Sequence, residues 1–206
     1  MIKNELKKRF FSSALLTPIV LFIIIEGSFL FNFFALICFM IATYEWFKMS
    51  KSDIKKIFGL FFLIISFYTI FKIRNDFNQD YFHILFVAII CVSTDIGGYI
   101  FGKLFKGPKL TKLSPSKTYS GVIGSFFLAM FITNLFFELT FHIHNFQYTK
   151  ETLIIVLMIS LVSQLGDIII SFFKRLSKIK DTGNIIPGHG GILDRIDGMI
   201  FAYPFS

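Results

Sequence analysis

A chain of 206 residues that is 54% hydrophobic, carries 30 phenylalanines and has a mean hydropathy of +0.69 is not an ordinary soluble domain, because so much apolar surface needs lipid to cover it. The net charge of +8 would suit an anionic polymer, yet the basic residues lie between apolar runs and not in one patch, which argues against nucleic acid. Cys38 and Cys91 both fall inside apolar runs and read as small buried hydrophobes, neither a disulfide nor a metal pair.

From the N-terminus, a basic segment leads into a long apolar run with no small-residue cleavage site, so a retained first span is expected near 11–27. A tight joint at Glu26-Gly27-Ser28 leads to a second span near 29–48. Further spans are expected near 55–72, 81–102, 119–139 and 152–173, with a short last one near 191–206. Each of the long runs approaches the ~20 residues that cross a hydrocarbon core. The expected fold class is therefore all-α, a polytopic integral membrane helix bundle of about seven transmembrane helices forming a single domain over 1–206.

The basic residues orient this bundle. One side collects Lys3, Lys7, Lys8 and Arg9, then Lys48, Lys51, Lys55 and Lys56, then Lys103, Lys106, Lys109, Lys112 and Lys117, and last Lys174, Arg175, Lys178, Lys180 and Arg195. Only Lys72, Arg74 and Lys150 fall on the other side. Such a bias places the N-terminus in the cytoplasm, and with it the loops 103–118 and 174–190.

The chemistry concentrates in the second of those loops and just beyond it. Between Lys174 and Asp197 lie several cations, three carboxylates, His189 and glycines at 183, 188, 190 and 191. Glycines let backbone approach closely, cations neutralise phosphate and paired aspartates hold a divalent metal. Asp194 and Asp197 are three apart and share a helix face, where they can bridge a hard cation such as Mg²⁺; the bland alternative is a charge pair at a helix end. Asp167 lies deep in the sixth span, where a charge costs roughly 2.5–3.5 kcal/mol unless partnered, and a metal shared with Asp194 would supply the partner. Asp95, in Thr94-Asp95-Ile96-Gly97-Gly98, either orients a cation or sits in a stripe of small residues made for helix packing. Lys174 and Arg175 serve as membrane-edge anchors or, with Lys180, Asp181 and Arg195, as a phosphate site. Ser114 and Lys117 can add a hydroxyl and an ammonium from the other loop. His189 can bond a phosphate oxygen, orient a carboxylate or act as acid or base. His142 and His144 fall on the outer side, away from the cluster.

These residues resemble a known signature. Ser171-x-Phe173-Lys174-Arg175, four residues, Lys180-Asp181-x-Gly183, then Ile186-Pro187-x-His189-Gly190-Gly191, two residues and Asp194-Arg195-x-Asp197 is similar to the signature of phosphatidate cytidylyltransferases, the CDP-diacylglycerol synthases. Asp95-x-Gly97-x-Tyr99-x-x-Gly102 and Ser114-Pro115-x-Lys117-Thr118 look like a second conserved block of that family, so the resemblance covers approximately 85–203 and leaves 11–72 as accessory spans. The resemblance implies an inner-membrane enzyme that joins CTP and phosphatidic acid to give CDP-diacylglycerol and pyrophosphate, with Mg²⁺ as cofactor and K⁺ as an allowed second cation. It makes Asp167 and Asp194 metal ligands, assisted by Asp197. Ser171, Lys174, Arg175 and Arg195 would then hold phosphates, with Gly190 and Gly191 beside the substrate. A homodimer through small-residue faces is allowed and not specified.

Two departures from the family stand out: Ile170 occupies a position where many bacterial members carry glutamate, and Tyr119-Ser120 replaces a common tryptophan-glutamate pair. Two other readings are a CTP-dependent lipid kinase of the polyprenol type, and an ion-coupled transporter using Asp95 and Asp167. A kinase would release CDP where the transferase releases pyrophosphate. A transporter would leave the glycine-rich cationic loop without a purpose.

Overall fold

The computed structural model describes residues 2–76, 81–110, 117–144, 148–186, 188 and 190–206. Among them there are eight helices and no strand: α1 Ile2–Glu26, α2 Ser28–Met49, α3 Asp53–Asp76, α4 Phe82–Phe105, α5 Tyr119–His144, α6 Lys150–Leu176, α7 Leu193–Ile196 and α8 Met199–Phe205. Five stretches are long and apolar enough to cross a membrane: Phe29–Met49, Asp53–Asn75, Phe82–Phe105, Tyr119–Thr140 and Lys150–Leu176. The apolar part of α1, Ser12–Glu26, is shorter.

The last expected span differs from the structure. Residues 191–206 contain a helix of 4 residues and one of 7, and at 1.5 Å per residue neither approaches the ~30 Å of a hydrocarbon core. These helices instead turn back into the bundle, and α8 packs against α3, α4 and α6. The Tyr203 hydroxyl donates to the Ile84 carbonyl at 3.1 Å, and Ser66 Oγ donates to the Ile200 carbonyl at 2.7 Å. The Phe201 ring meets Phe62 with centroids 4.4 Å apart and covers Gly166, where a methyl group would sit 2.5 Å from the ring.

The joint between α1 and α2 is a single residue. Gly27 has φ 66° and ψ −137°, a backbone conformation that essentially only glycine takes up. At the opposite end of α2, the Trp46 indole donates to the Lys55 carbonyl at 3.0 Å and packs edge-on against Phe173, 5.0 Å between centroids. Trp46 shares a buried cluster with Ala42, Leu63, Ile170, Leu193 and Ile200. Ile170, one of the two departures, is therefore a core residue that is 2% exposed. In the other, Ser120 donates to the Lys106 carbonyl and Tyr119 is exposed.

α4 and α5 form the most intimate pair, through the small-residue stripe. A methyl on Gly97 would lie 2.6 Å from the Gly124 carbonyl oxygen, and one on Gly121 would lie 2.8 Å from that of Gly98. Ser125 Oγ donates to the Thr94 carbonyl at 2.7 Å across the same interface. Close packing without side chains between the backbones is the usual means of joining helices in lipid. Gly97→Leu should therefore separate α4 from α5 and destabilise the protein by about 1–3 kcal/mol or more. Its apparent Tm in detergent should fall by several degrees, while lipid-facing Ile123→Ala should leave Tm unchanged.

Candidate active site

The site is assembled from α2, α4, α6, the loop between α5 and its preceding helix, and the segment that links α6 to α8. α6 ends at Leu176, where the Ser177 amide bonds back to the Phe173 carbonyl and Lys178 turns the chain with φ 58°. The segment then folds over the end of α6 and is pinched by an isolated bridge between Ile186 and Gly190.

Asp194 is the centre of this fold-over. Its Oδ1 accepts from Lys174 Nζ at 2.8 Å, in a pair whose side chains are 12% and 3% exposed. Its Oδ2 accepts from the Thr182 amide at 2.7 Å, the Thr182 hydroxyl at 3.0 Å and the Gly191 amide at 3.0 Å. Both oxygens are thus occupied by protein donors, and a metal would have to compete with Lys174 for this carboxylate.

A second knot lies about two turns deeper on α6, at Asp167. Lys117 Nζ is 2.6 Å from Asp167 Oδ2 and 3.3 Å from the Gln164 carbonyl, and Ser171 Oγ donates to Asp167 Oδ1 at 3.2 Å. Lys117 is aimed there because the Lys109–Thr118 bridge and the Leu110 amide bond to the Lys117 carbonyl pin the base of its loop. Asp197, 8% exposed, accepts from the Gly198 amide at 3.0 Å. Asp95, Asp167 and Asp197 come from three different elements and lie close enough to repel one another, while Lys117 and Arg195 attract Asp95 and Lys174 attracts Asp197. Of the three, Asp197 is buried, Asp167 half-buried and Asp95 exposed, and like charges gathered this way are favoured by a compensating cation.

Among the described residues, no group of three or more His, Cys, Asp or Glu side chains converges to hold a metal ion. Mg²⁺ does not require such a cage, since it is commonly held by one or two carboxylates plus water and substrate phosphates. The carboxylate locus around Asp167 and Asp197 has the donor chemistry for that arrangement.

The structure thus joins Lys174, Asp194 and Gly191 in one knot, joins Lys117, Asp167 and Ser171 in another, and draws Asp95, Asp197 and Arg195 alongside the second. Arg175 is exposed, with Nη1 3.5 Å from the Ile179 carbonyl, and Lys180 and Asp181 are exposed on the loop. Gly190 adopts φ 90° beside Asp181 and Asp194. Ser114 and His189 lie outside the described residues.

Two residues were not anticipated from the sequence. Thr182 donates to Asp194 with both its amide and its hydroxyl, and Glu45 on α2 accepts from the same hydroxyl at 2.9 Å. The signal for Glu45 was present: it is a carboxylate in an apolar span, the feature that singled out Asp95 and Asp167.

Comparison with known proteins identifies the family. The model of the cytidylyltransferase family matches residues 54–206. A phosphatidate cytidylyltransferase of Rickettsia conorii is 34% identical over 203 residues, 96% of this chain and 88% of the relative. One of Rickettsia bellii is 33% identical over 207 residues, 98% and 89% of the two chains. One of Bacillus subtilis is 37% identical over 140 residues, 68% of this chain and 51% of that protein. A match over most of the chain, with carboxylates and cations gathered where the signature lies, makes this protein a member of the cytidylyltransferase family.

Proposed function

We propose that the protein is a phosphatidate cytidylyltransferase that converts CTP and phosphatidic acid to CDP-diacylglycerol and pyrophosphate. The observation that carries this reading is the similarity, over nearly the whole chain, to relatives bearing that name. The α2–α6 apolar surfaces keep the protein in a bilayer, where one substrate resides. The bias of basic residues supports a cytoplasmic N-terminus and a site that opens to the cytoplasm, the side that supplies nucleotide.

In this reaction an oxygen of the lipid phosphate attacks the α-phosphorus of CTP, and the bond to pyrophosphate breaks in line. The attacking phosphate is already ionised near neutral pH, so no side chain need remove a proton. Catalysis then consists of positioning and charge neutralisation. Lys117, Lys174 and Arg195 supply cations from three separate elements, and exposed Arg175 and Lys180 add charge at the rim. An incoming phosphate competes with Asp194 for Lys174 and with Asp167 for Lys117, so substrate binding exchanges internal ion pairs for ligand ones. Asp167, with Asp197 beside it, would hold Mg²⁺, and Asp194 would join them by giving up Lys174. When bound, that ion neutralises phosphate charge that the lysines alone leave uncompensated.

The direct test is pyrophosphate release from CTP by the full chain in detergent. Release should require phosphatidic acid and divalent cation together, should stop with EDTA and should be absent in Asp194→Ala. Release of CDP in place of pyrophosphate would identify a kinase, and transport without CTP turnover would overturn the enzymatic reading.

Lys174→Met has a separable consequence. It should lower turnover by about 10²–10³-fold, the loss typical of removing one electrostatic donor. It also leaves buried Asp194 without its cation, a change that costs about 3–5 kcal/mol when one partner of a buried pair is removed. Adding Asp194→Asn to Lys174→Met should restore part of the lost Tm and none of the turnover.

A further inference from the structure

α2 lies outside the region that the family model matches, which begins at residue 54. Even so, α2 contributes a side chain to the segment around Asp194. Glu45 is 1% exposed. Its Oε1 accepts from the Ile192 amide at 3.0 Å, and its Oε2 accepts from the Leu193 amide at 2.8 Å and from the Thr182 hydroxyl at 2.9 Å. The carboxylate therefore holds both limbs of the loop, the outgoing one at Thr182 and the returning one at Ile192 and Leu193.

Two signature glycines pack against this carboxylate. A methyl on Gly191 would lie 2.4 Å from Glu45 Oε2, and one on Gly183 would lie 2.5 Å from Oε1. Close approach of backbone to Glu45 accounts for both positions without any phosphate. The Thr182 hydroxyl has one hydrogen and faces two carboxylates, 2.9 Å from Glu45 Oε2 and 3.0 Å from Asp194 Oδ2. Movement of Glu45 therefore reaches Asp194 both along the chain through the Leu193 amide and through the Thr182 hydroxyl. A carboxylate buried only to fill space would be replaced without loss by an apolar side chain, because desolvating it is costly. One that supplies acceptors to amides with no helical partner has a geometric task.

We propose that Glu45 is a positioning residue for the nucleotidyl transfer: from outside the matched region, it clamps the loop between α6 and α7 and thereby fixes Asp194. The catalytic consequence rests on the cytidylyltransferase reading, whereas the clamp itself does not. Glu45→Gln keeps the shape of the side chain and turns an NH₂ group toward backbone N–H groups, and Thr182→Val removes only the shared hydroxyl.

The test uses the full chain in detergent, with Glu45→Gln, Thr182→Val and the double variant. Amide hydrogen exchange over 182–193 should accelerate by about 10-fold or more in Glu45→Gln while α4 and α6 keep their protection. In pyrophosphate release from CTP, kcat should fall by about 10–10²-fold with KM for CTP changed by less than about threefold, the pattern of misplacement and not of lost binding. The double variant should be no slower than Glu45→Gln alone, because both act through one chain of contacts. Unchanged loop exchange, an unchanged kcat, or kcat losses that multiply in the double variant would each overturn the proposal. Thr182→Val is read by the same criteria if Glu45→Gln does not fold. A wild-type protein that releases no pyrophosphate would refute the transferase reading, and the exchange data would still decide the clamp.

Discussion

Asp194 and Glu45 are two carboxylates enclosed by protein at one end of a lipid-covered bundle, and the arrangement around them governs the rest of the site. Taking an ionised group out of water costs several kcal/mol unless donors replace the solvent. Here the replacement comes from Lys174, from the amides of Thr182, Gly191, Ile192 and Leu193, and from one threonine hydroxyl. Those amides belong to a loop with no sheet or long helix to satisfy them. The carboxylates and the loop are each unfavourable when buried alone, and each supplies what the other lacks.

Closing that loop lets the chain re-enter the bundle. Once Leu193 is pinned, α7 lies against α2 and α8 runs back against α3, α4 and α6. Room for them is made by Gly166, which faces Phe201, and by Gly198, where a methyl would lie 2.4 Å from Ser163 Oγ. This return path carries Asp197 to the level of Asp167, while the glycine contacts between α4 and α5 hold the helix that bears Asp95. Three acidic residues distant in sequence thus share one neighbourhood, with Lys117, Lys174 and Arg195 around them.

The signature residues divide by what they touch. Gly183 and Gly191 pack closely against Glu45, and Asp194 is held on both oxygens. Arg175, Lys180 and Arg195 remain exposed, and Lys117 and Lys174 are ion-paired with carboxylates that a phosphate could displace. A motif that reads as one chemical unit therefore combines a structural frame with a set of exchangeable cations. In phosphoryl-transfer chemistry of this kind the two are complementary, because cations neutralise effectively only where their positions are fixed beforehand.

The sequence by itself determined the class of the protein, the location of the charged cluster, its family and five of the seven spans expected from it. Each of these depends on local quantities, the length of apolar runs and the spacing of residue types, which survive without a fold. It also indicated that Gly97 and Gly98 belong to a packing stripe. The path of residues 191–206 was decided by tertiary structure: an apolar run with two helix-forming stretches reads as a span, and only the crossing of α8 over Gly166 shows that it turns back. The same holds for the partners of the buried carboxylates. Lys117 and Asp167 are joined by a loop bridge, and Glu45 meets Leu193 across 148 positions of chain. Spacing along the sequence carries no information about such contacts, because they are fixed by the packing of α2, α6 and the loop around one another.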